Sequence, residues 1–361
     1  METVRLLWRE TEADGAAVAA AVALLRAGET VAFPTETVYG LGADALNAAA
    51  CRRIFAAKGR PADNPLIVHI ADTAQVGNIC AAWPPEAGRL AARFWPGPLT
   101  LVLPKQRAVP AEVTGGLSTV GVRMPAHPLA LALIRASGLA LAAPSANLSG
   151  KPSPTTAAHV WDDLGGRIPL ILDGGPCRVG LESTVLDLSA AAPTVLRPGA
   201  VTREELEATL EQPVRLAEAD ATAAGMPKAP GMKYRHYAPA GRVILLGATD
   251  TVRQIAEQLR AVRPGERIAV LATDETLAGL DAASRARIAT VYSLGSARLP
   301  DQAAARLFAG LRLADERRAD FVFVQTAEES GMGAAFMNRL RKAAGEGDEQ
   351  CTLEGGQGIR D

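Results

Sequence analysis

Short apolar runs alternate with polar loops and helix-like stretches along most of the chain, most clearly in residues 31–70. There the runs TVAF and LIVHI bracket the polar stretch PTETVYGLGADA and the helical stretch AAACRRIFAAK. Runs of this length predict strands, so the segment is predicted to form strand, loop, helix, loop and strand. Asn47 is a suitable N-cap for the helix, which the pattern ends at Gly59 and Pro61.

The same alternation continues to residue 211. An apolar helix is predicted at residues 16–27, ending at Gly28, and Thr155 is predicted to cap the helix in TTAAHVWDDLG. Further strands are predicted in WPGPLTLVLP, STVGVRMP, LALAAP, RIPLILDGG, GLESTVLDLS and PTVLRPG, and further helices near residues 73–82 and 85–94 and in PLALALIRASG and TREELEATL. Strands that alternate with helices in this way are typical of an α/β fold.

The pattern changes between residues 212 and 240, which are rich in Ala, Gly and Pro and carry little periodicity. Beyond them the apolar runs VILLG, IAVLAT, IATVYSL and DFVFVQ alternate with helical stretches, which predicts a smaller, parallel-sheet α/β domain of Rossmann-like type. The predicted organisation is therefore a domain at 1–211, a linker at 212–240, a second domain at 241–345 and a disordered tail at 346–361.

Composition and charge narrow the possible functions. The chain has 361 residues and a net charge of −1, so no polybasic face is implied and strong direct binding to nucleic acid is not predicted. The four cysteines form no CxxC pair, which supports neither a zinc site nor a disulfide framework. The N-terminus lacks the apolar core of a signal peptide, and no apolar run reaches membrane-spanning length, so a cytoplasmic protein is expected.

Two basic residues lie at the end of the predicted helix AAACRRIFAAK, in the stretch KGRPADNPL. The Lys58 ammonium is a compact point charge, and the Arg60 guanidinium can donate two parallel hydrogen bonds. This combination suits a polyanion such as triphosphate. Only six of the 38 basic residues are lysines, which makes a lysine in a loop more noteworthy. The alternative is a solvated basic turn. In either case a loop position predicts that alanine substitutions change stability by no more than about 0.5 kcal/mol.

A second polar loop, SANLSGKPSPT, directly follows the predicted strand LALAAP. Ligands of α/β sheets bind at the carboxyl ends of strands, so this loop is a candidate binding segment. Two glycine motifs are rejected. YGLGADA matches a dinucleotide fingerprint but is separated from its strand by six residues, and GMGAAF opens a helix without a preceding strand. No GxxxxGK[ST] phosphate loop is present.

Taken together, these motifs resemble the YrdC-like family. Its paired signature of KxR and SxN is present as Lys58, Arg60, Ser145 and Asn147, and PTETVYGLG and KGRPADNPL are similar to family hallmarks. APGMKYRHYAP and MNRLRKAA resemble the long, two-domain form, the threonylcarbamoyl-AMP synthases. The resemblance implies a YrdC-like twisted, open α/β domain with a central cavity, followed by the smaller domain.

The resemblance also implies an activity, a set of partners and a set of site residues. The family makes L-threonylcarbamoyladenylate from ATP, bicarbonate and L-threonine, for threonylcarbamoyladenosine modification of tRNA. A tRNA threonylcarbamoyl-transfer complex would receive the product, and Mg²⁺ would enter with ATP rather than at a protein-only metal site. The residues implied to bind ATP are Lys58, Arg60, Asn64, Thr119, Ser145, Asn147, Ser153, Arg197 and His236, with Lys58 and Arg60 catalytic. Those implied to bind threonine are Thr37, His69, Arg123, Ala143 and Ser183.

Two of these residues have a plain structural alternative. On its residue type alone, His69 on a strand is more typical of a satisfied core histidine. Arg123, at the polar end of a predicted strand, either caps a sheet edge or pairs with a carboxylate. The implied reaction needs negative charge stabilised on both sides of the α-phosphorus, which fixed cations and Mg²⁺ do without a catalytic triad.

The linker contains the cluster Lys233, Tyr234, Arg235, His236 and Tyr237 in otherwise Ala- and Pro-rich surroundings. A mixed carbamate adenylate is labile, so an enzyme that makes it must exclude water. The cluster is therefore predicted to fold over the cavity as an active-site lid, with His236 or a neighbour at the nucleotide and Tyr234 at the threonine side. A simple spacer is the alternative.

Two other functions remain open at this point. The same cavity could hold RNA in a binding module, although balanced charge and aromatics at 4% argue against it. A carbamoyl-transfer domain of hydrogenase maturation factors is the other, but those proteins carry cysteine-rich zinc modules that this chain lacks. Pyrophosphate release that requires both threonine and bicarbonate distinguishes the synthase from both.

Overall fold

Two sheets flanked by helices organise the part of the chain that the structure describes, residues 1–9, 15–217 and 237–345. The structure is a computed structural model. The first sheet is mixed and the second is parallel, which confirms the predicted α/β class with a smaller C-terminal parallel sheet. The limits predicted for the domains stay a prediction, and residues 218–236 of the linker and the tail at 346–361 lie outside the described residues.

The first sheet runs in the order β1-β8-β2-β3-β7-β4-β6-β5-β9-β10-β11 within the described residues. Its strands are β1 (Val4–Leu7), β2 (Val31–Phe33), β3 (Gly40–Asp44), β4 (Ile67–His69), β5 (Leu99–Pro104), β6 (Thr119–Arg123), β7 (Leu141–Ala142), β8 (Leu170–Asp173), β9 (Thr184–Asp187), β10 (Thr194–Arg197) and β11 (Arg215–Leu216). Its helices are α1 (Gly15–Arg26), α2 (Ala48–Lys58), α3 (Val76–Ile79), α4 (Pro85–Phe94), α5 (Ala111–Thr114), α6 (Pro128–Ser137), α7 (Ala157–Leu164) and α8 (Arg203–Leu210). A 3-10 turn at Thr73–Gln75 precedes α3.

The second sheet has the order β12-β15-β13-β14, and all its pairs are parallel. The strands are β12 (Arg242–Leu246), β13 (Ile268–Ala272), β14 (Thr290–Ser293) and β15 (Phe321–Gln325). The helices are α9 (Thr251–Ala261), α10 (Asp274–Ala278), α11 (Ala282–Arg287), α12 (Pro300–Glu316) and α13 (Met332–Ala344). Among the helices of the described ranges, none combines the length and the apolar character needed to cross a membrane.

Helix α2 forms as the sequence predicts, because both of its ends are capped. The Asn47 Oδ1 accepts a hydrogen bond from the Ala50 backbone N–H at 3.1 Å. At the other end Gly59 adopts φ 60°, the left-handed conformation that glycine takes without a Cβ clash. The backbone N–H of Gly59 closes the last turn on the Ala56 carbonyl. These caps place the Lys58 side chain at a defined position at the end of the helix.

Two local predictions are wrong. The stretch GLGADA is not a loop: it forms β3, which pairs with β2 in antiparallel register, Ala32 opposite Leu41. Its glycines hide the strand pattern, but close packing requires at least one of them, since a Cβ on Gly42 would lie 2.6 Å from the Phe33 ring. Helix α7 is capped by Thr156, whose hydroxyl accepts from the His159 N–H, and not by Thr155.

The two halves of the described chain share a packed, partly polar interface. Val38 and Leu181 of the first half lie in the same apolar cluster as the inner faces of α12 and α13. Arg312 on α12 donates from Nη2 to the Pro152 carbonyl at 2.6 Å and to Asp163 at 2.7 Å. This contact ties the second half to the loop that follows β7. Helix α13 makes a second such contact, described below with the site.

Candidate active site

A cavity lies where several strand ends and loops of the first sheet converge. Strands β4 and β6 run parallel, so His69 and Arg123 stand opposite each other at their carboxyl ends. The loops after β2 and β7, the end of α2 and the residues before β9 complete the wall. The predicted site residues that line this cavity are Thr37, Lys58, Arg60, His69, Arg123, Ala143, Ser145, Asn147, Ser183, Arg197 and Tyr237.

Three predicted residues do not line the cavity, and four lie outside the described residues. Asn64 is buried below the KxR turn, and Thr119 begins β6 opposite Pro104. Ser153 is fully buried, with its hydroxyl bonded to a carboxylate that does line the cavity. Of the predicted lid, Lys233, Tyr234, Arg235 and His236 lie outside the described residues.

Lys58 is a buried residue of α2, 2% exposed, so the loop position predicted for it is wrong and the alternative of a solvated basic turn does not apply to it. It is the last residue of α2, and its ammonium group donates to the backbone carbonyls of Ser145 and Asn147, the latter at 2.6 Å. Burial and the nearby Arg60 guanidinium lower the pKa of Lys58 well below its ordinary value. The ammonium therefore has a fixed position between α2 and the SxN loop.

The Arg60 side chain stabilises the turn in which Arg60 lies. Its Nη2 donates to the backbone carbonyls of Asn64 and Pro65, at 3.3 and 3.2 Å. These bonds hold the KGRPADN turn in shape, with the guanidinium partly exposed at the cavity wall. Lys58 and Arg60 thus bring two positive charges to one side of the cavity, as the sequence predicts for a polyanion site.

Hydrogen bonds from its own side chains stabilise the SxN loop. Ser145 Oγ donates to Asn147 Oδ1 at 2.5 Å, and Asn147 Nδ2 donates to the carbonyls of Leu148 and Lys151 at 2.8 and 2.9 Å. Lys151 pairs with Asp163, 3.0 Å away, which also binds Arg312. Ser145 and Asn147 therefore reach the cavity from a loop whose shape is set in advance.

Arg123 is held in place by contacts with three other residues of the protein. Its Nε donates to the Gly97 carbonyl at 3.1 Å, which caps a chain segment beside the sheet, and its Nη1 donates to the Thr37 hydroxyl at 3.0 Å. Its Nη2 lies 2.6 Å from Oε1 of Glu36, a carboxylate to which the sequence assigned no role. The guanidinium is 3% exposed, so its charge acts in a low-dielectric setting.

His69 and Ser183 lie on either side of Arg123 in the cavity wall. Burial and the Arg123 charge lower the pKa of His69 to about 3, so its imidazole is neutral at physiological pH. Its Nδ1 lies 3.2 Å from the Ile67 carbonyl, as expected for a satisfied core histidine. The Ser183 hydroxyl lies 2.8 Å from that of Thr100 and accepts from Arg197 Nη2 at 3.2 Å.

Glu182 is an acidic residue in the cavity wall that sequence reasoning missed. It accepts from Ser153 Oγ at 2.5 Å and from Arg339 Nε of α13 at 2.8 Å. Burial raises the pKa of Glu182, but the Arg339 and Arg197 charges outweigh that effect and lower it to about 2. A carboxylate within the apolar run GLESTVLDLS was the available signal, because an acid there needs a partner.

The buried pair of Glu182 and Arg339 makes the free energy of unfolding depend on pH in the acid range. The pKa of Glu182 falls from 4.5 in the unfolded chain to about 2 in the folded protein. The ionised carboxylate therefore contributes its full stabilisation above pH 4.5, and this stabilisation is lost as pH falls from 4.5 towards 2. Between pH 7 and pH 3 the group should account for about 2 kcal/mol of the lost free energy of unfolding. Chemical denaturation of Glu182→Gln should give a correspondingly flatter pH dependence. Equal slopes for both proteins would contradict the assignment.

The comparisons with known proteins agree with the resemblance read from the motifs. A family model described as telomere recombination matches residues 23–199, and one described as the C-terminal domain of threonylcarbamoyl-AMP synthase matches residues 201–345. Threonylcarbamoyl-AMP synthase of Bacillus subtilis is 50% identical over 330 residues, covering 91% of this chain and 93% of the relative. The chain belongs to the threonylcarbamoyl-AMP synthase family.

Members from distant organisms match over the same length. Threonylcarbamoyl-AMP synthase of Pyrococcus abyssi is 49% identical over 90% of this chain and 93% of the relative. A crystal structure of the P. abyssi protein in complex with L-threonine is 46% identical and covers 96% of this chain and 98% of that one, with a TM-score of 0.86. These matches confirm the family and the two-part α/β fold predicted from the sequence.

Proposed function

We propose that this chain is a nucleotidyltransferase that synthesises L-threonylcarbamoyladenylate from L-threonine, bicarbonate and ATP, with release of pyrophosphate. One observation carries the proposal: in a chain 50% identical to a threonylcarbamoyl-AMP synthase, the residues of the KxR and SxN signature share one cavity wall with Arg123 and Arg197. The RNA-binding alternative is not favoured, because the family is a family of enzymes. The hydrogenase-maturation alternative is not favoured either, because the synthase match covers nine-tenths of the chain.

The nucleotide is proposed to bind where Lys58 and Arg60 line the cavity. Lys58 and Arg60 would hold the phosphates and stabilise the transition state, with Asn64 supporting their turn. The remaining proposed nucleotide residues are Thr119, Ser145, Asn147, Ser153, Arg197 and His236. Bound phosphates would offset the burial that disfavours the charged form of Lys58, so that nucleotide and ammonium stabilise each other.

Threonine is proposed to bind where Arg123 lines the cavity. A guanidinium that is 3% exposed pairs strongly with a carboxylate, because little water competes for it. Thr37, His69 and Ser183 would offer polar groups to the substrate, and Ala143 its backbone. The neutral state of His69 fits this role, since it adds no second positive charge beside the amine that must react.

The chemistry follows from the charges. Protonated bicarbonate loses water to give carbon dioxide, and the threonine amine adds to it and loses a proton, which gives a carbamate. A carbamate oxygen then attacks the α-phosphorus of ATP while pyrophosphate leaves. Negative charge then grows on the phosphoryl oxygens and on the leaving group, and cations held in place stabilise both without reorganising. Mg²⁺ is proposed to enter with its ATP and to share in stabilising this charge.

The product is proposed to pass to a tRNA threonylcarbamoyl-transfer complex. A labile adenylate is useful only when a second enzyme consumes it, and the net charge of −1 does not favour strong binding of tRNA by this chain itself. The decisive assay is pyrophosphate release from ATP, measured with and without threonine and bicarbonate. Release that needs both substrates supports the proposal, and release that ignores either one contradicts it.

The linker cluster is proposed to close the cavity as a lid. Its last member, Tyr237, supports this proposal: it is 5% exposed, lines the cavity and packs its ring on Phe308 at 5.0 Å. The next residue, Ala238, donates its N–H to the Gly150 carbonyl at 3.1 Å, so the chain leaves the linker against the SxN loop.

Limited proteolysis and activity test the lid together. ATP plus threonine should protect the bonds around residues 231–238 from cleavage. Replacing residues 231–237 by an equal number of Gly and Ser residues, which keeps the span, should lower the yield of product. If neither ATP nor threonine changes the rate of cleavage, and the Gly/Ser variant makes as much adenylate as the original protein, the segment is a spacer.

A further inference from the structure

Glu36, in the PTETVYG stretch, is a buried acid that the proposed function leaves without a role. Its side chain is 4% exposed, and neither carboxylate oxygen receives a hydrogen bond of good geometry from the described residues. Its neighbour is the Arg123 guanidinium, with Nη2 at 2.6 Å. Burying a carboxylate is costly unless an opposite charge compensates it, so this pair is interdependent.

The turn that carries Glu36 is held rigidly. The Thr35 hydroxyl accepts from the N–H groups of Thr37 and Val38, both at 3.2 Å, which is a compact side-chain-capped turn. The Glu36 carbonyl accepts from the Val179 N–H at 2.8 Å, which ties the turn to a second segment. Glu36 is therefore presented to Arg123 from a fixed backbone, and it lies behind the cavity wall that Arg123 and Thr37 form.

The contacts of Arg123 with the protein leave some of its N–H groups available to a ligand. A guanidinium has five N–H groups. In the described structure Nε–H points to the Gly97 carbonyl, one N–H of Nη1 to Thr37, and Nη2 faces Glu36. At least one N–H on each terminal nitrogen is then left for a ligand, and a carboxylate can accept hydrogen bonds from both terminal nitrogens of a guanidinium.

We infer that Glu36 is a positioning residue for the amino-acid substrate, holding the Arg123 guanidinium so that its remaining N–H groups are available to the carboxylate of threonine. The inference rests on the proposed function, since it takes threonine as the ligand of Arg123. It assigns Glu36 no contact with threonine and no proton transfer. Its effect on threonine runs through Arg123 alone.

Glu36→Ala tests this role through a difference between the two substrates. We expect the KM for threonine to rise about tenfold or more, because the bidentate pair loses its preset geometry. The KM for ATP should change by less than about twofold, and kcat at saturating threonine by less than about threefold. Glu36→Gln keeps an oxygen that can accept from Nη2, so it should restore the threonine KM to within about threefold of the original.

Glu112→Gln is the matched control. It alters another Arg–Glu pair of the same domain, with Arg52, which is exposed and outside the cavity, and it should move neither KM. In an Arg123→Lys background, Glu36→Ala should change the threonine KM by less than about twofold, because its effect is carried by the guanidinium.

Three outcomes would overturn the inference: an unchanged threonine KM in Glu36→Ala, an equal rise in both KM values, or tighter threonine binding, which would make Glu36 a competitor for Arg123. Melting curves with and without threonine keep the test valid if Glu36→Ala is unstable, because the threonine-induced shift reports binding by the folded fraction. Failure of the proposed function is separate: the unaltered chain would then show no threonine-dependent pyrophosphate release.

Discussion

Lys58→Ala is expected to abolish pyrophosphate release, by about a thousandfold or more, because it removes a fixed cation from the phosphate end of the cavity. The structure adds a second effect. The ammonium group donates to the carbonyls of Ser145 and Asn147, so truncation leaves buried acceptors unsatisfied, at a cost of about 1–3 kcal/mol. The limit of about 0.5 kcal/mol expected for a loop lysine therefore does not hold. Product assays and chemical denaturation measure the two effects separately.

Two further variants make this result interpretable. Lys105 donates to the Val109 carbonyl at 2.6 Å and lies outside the cavity wall, so Lys105→Ala is expected to cost stability but to retain activity. Arg60→Ala, at a partly exposed position, is expected to lose activity with a smaller stability change. Threonine-dependent release that survives in folded Lys58→Ala would remove Lys58 from the catalytic site.

Arg123→Ala is expected to weaken threonine binding about 100-fold or more while ATP binding changes only a few-fold. The buried guanidinium is the cation proposed to meet the substrate carboxylate, and losing one partner of a desolvated charge pair costs about 2–5 kcal/mol. The same change leaves Glu36 buried without its counter-charge, so the fold should lose about 3–5 kcal/mol of stability. Titrations of threonine and of ATP, on protein shown to be folded, measure the difference.

Arg52→Ala is the control for this experiment, because Arg52 also pairs with a glutamate of the first domain but does so at the surface. It is expected to leave both affinities and the stability nearly unchanged. If Arg123→Ala weakens ATP and threonine to the same extent, Arg123 does not belong to the amino-acid end of the site.

Local sequence patterns predicted those parts of the molecule that local forces form. The cap at Asn47, the end of α2 at Gly59 and the four strands of the second sheet all depend on residues that are neighbours in the chain. The KxR and SxN motifs were recognisable for the same reason: each is a short stretch, and the family match confirms the reading of the chain that they support.

The errors arose where contacts between distant segments outweigh local preference. The glycines of GLGADA predicted a loop, yet this stretch contains β3, which pairs with β2. The Phe33 ring packs in the space that a side chain on Gly42 would occupy, so a glycine is required there. Lys58 was predicted to lie in a loop, yet it is buried, because the loop that follows β7, nearly ninety positions later, supplies its acceptors. Nothing in either stretch alone encodes the partner.

The sequence by itself determined the fold class, the family and the chemical types present at the site, because periodicity, capping and short motifs are local properties. Only the tertiary structure decided that Glu36 lies against Arg123, and that Arg339 reaches Glu182 across a separation of 157 residues. A buried charge is tolerated only beside a partner, and which partner reaches it depends on how the strands and helices pack. That pairing is a property of the whole fold.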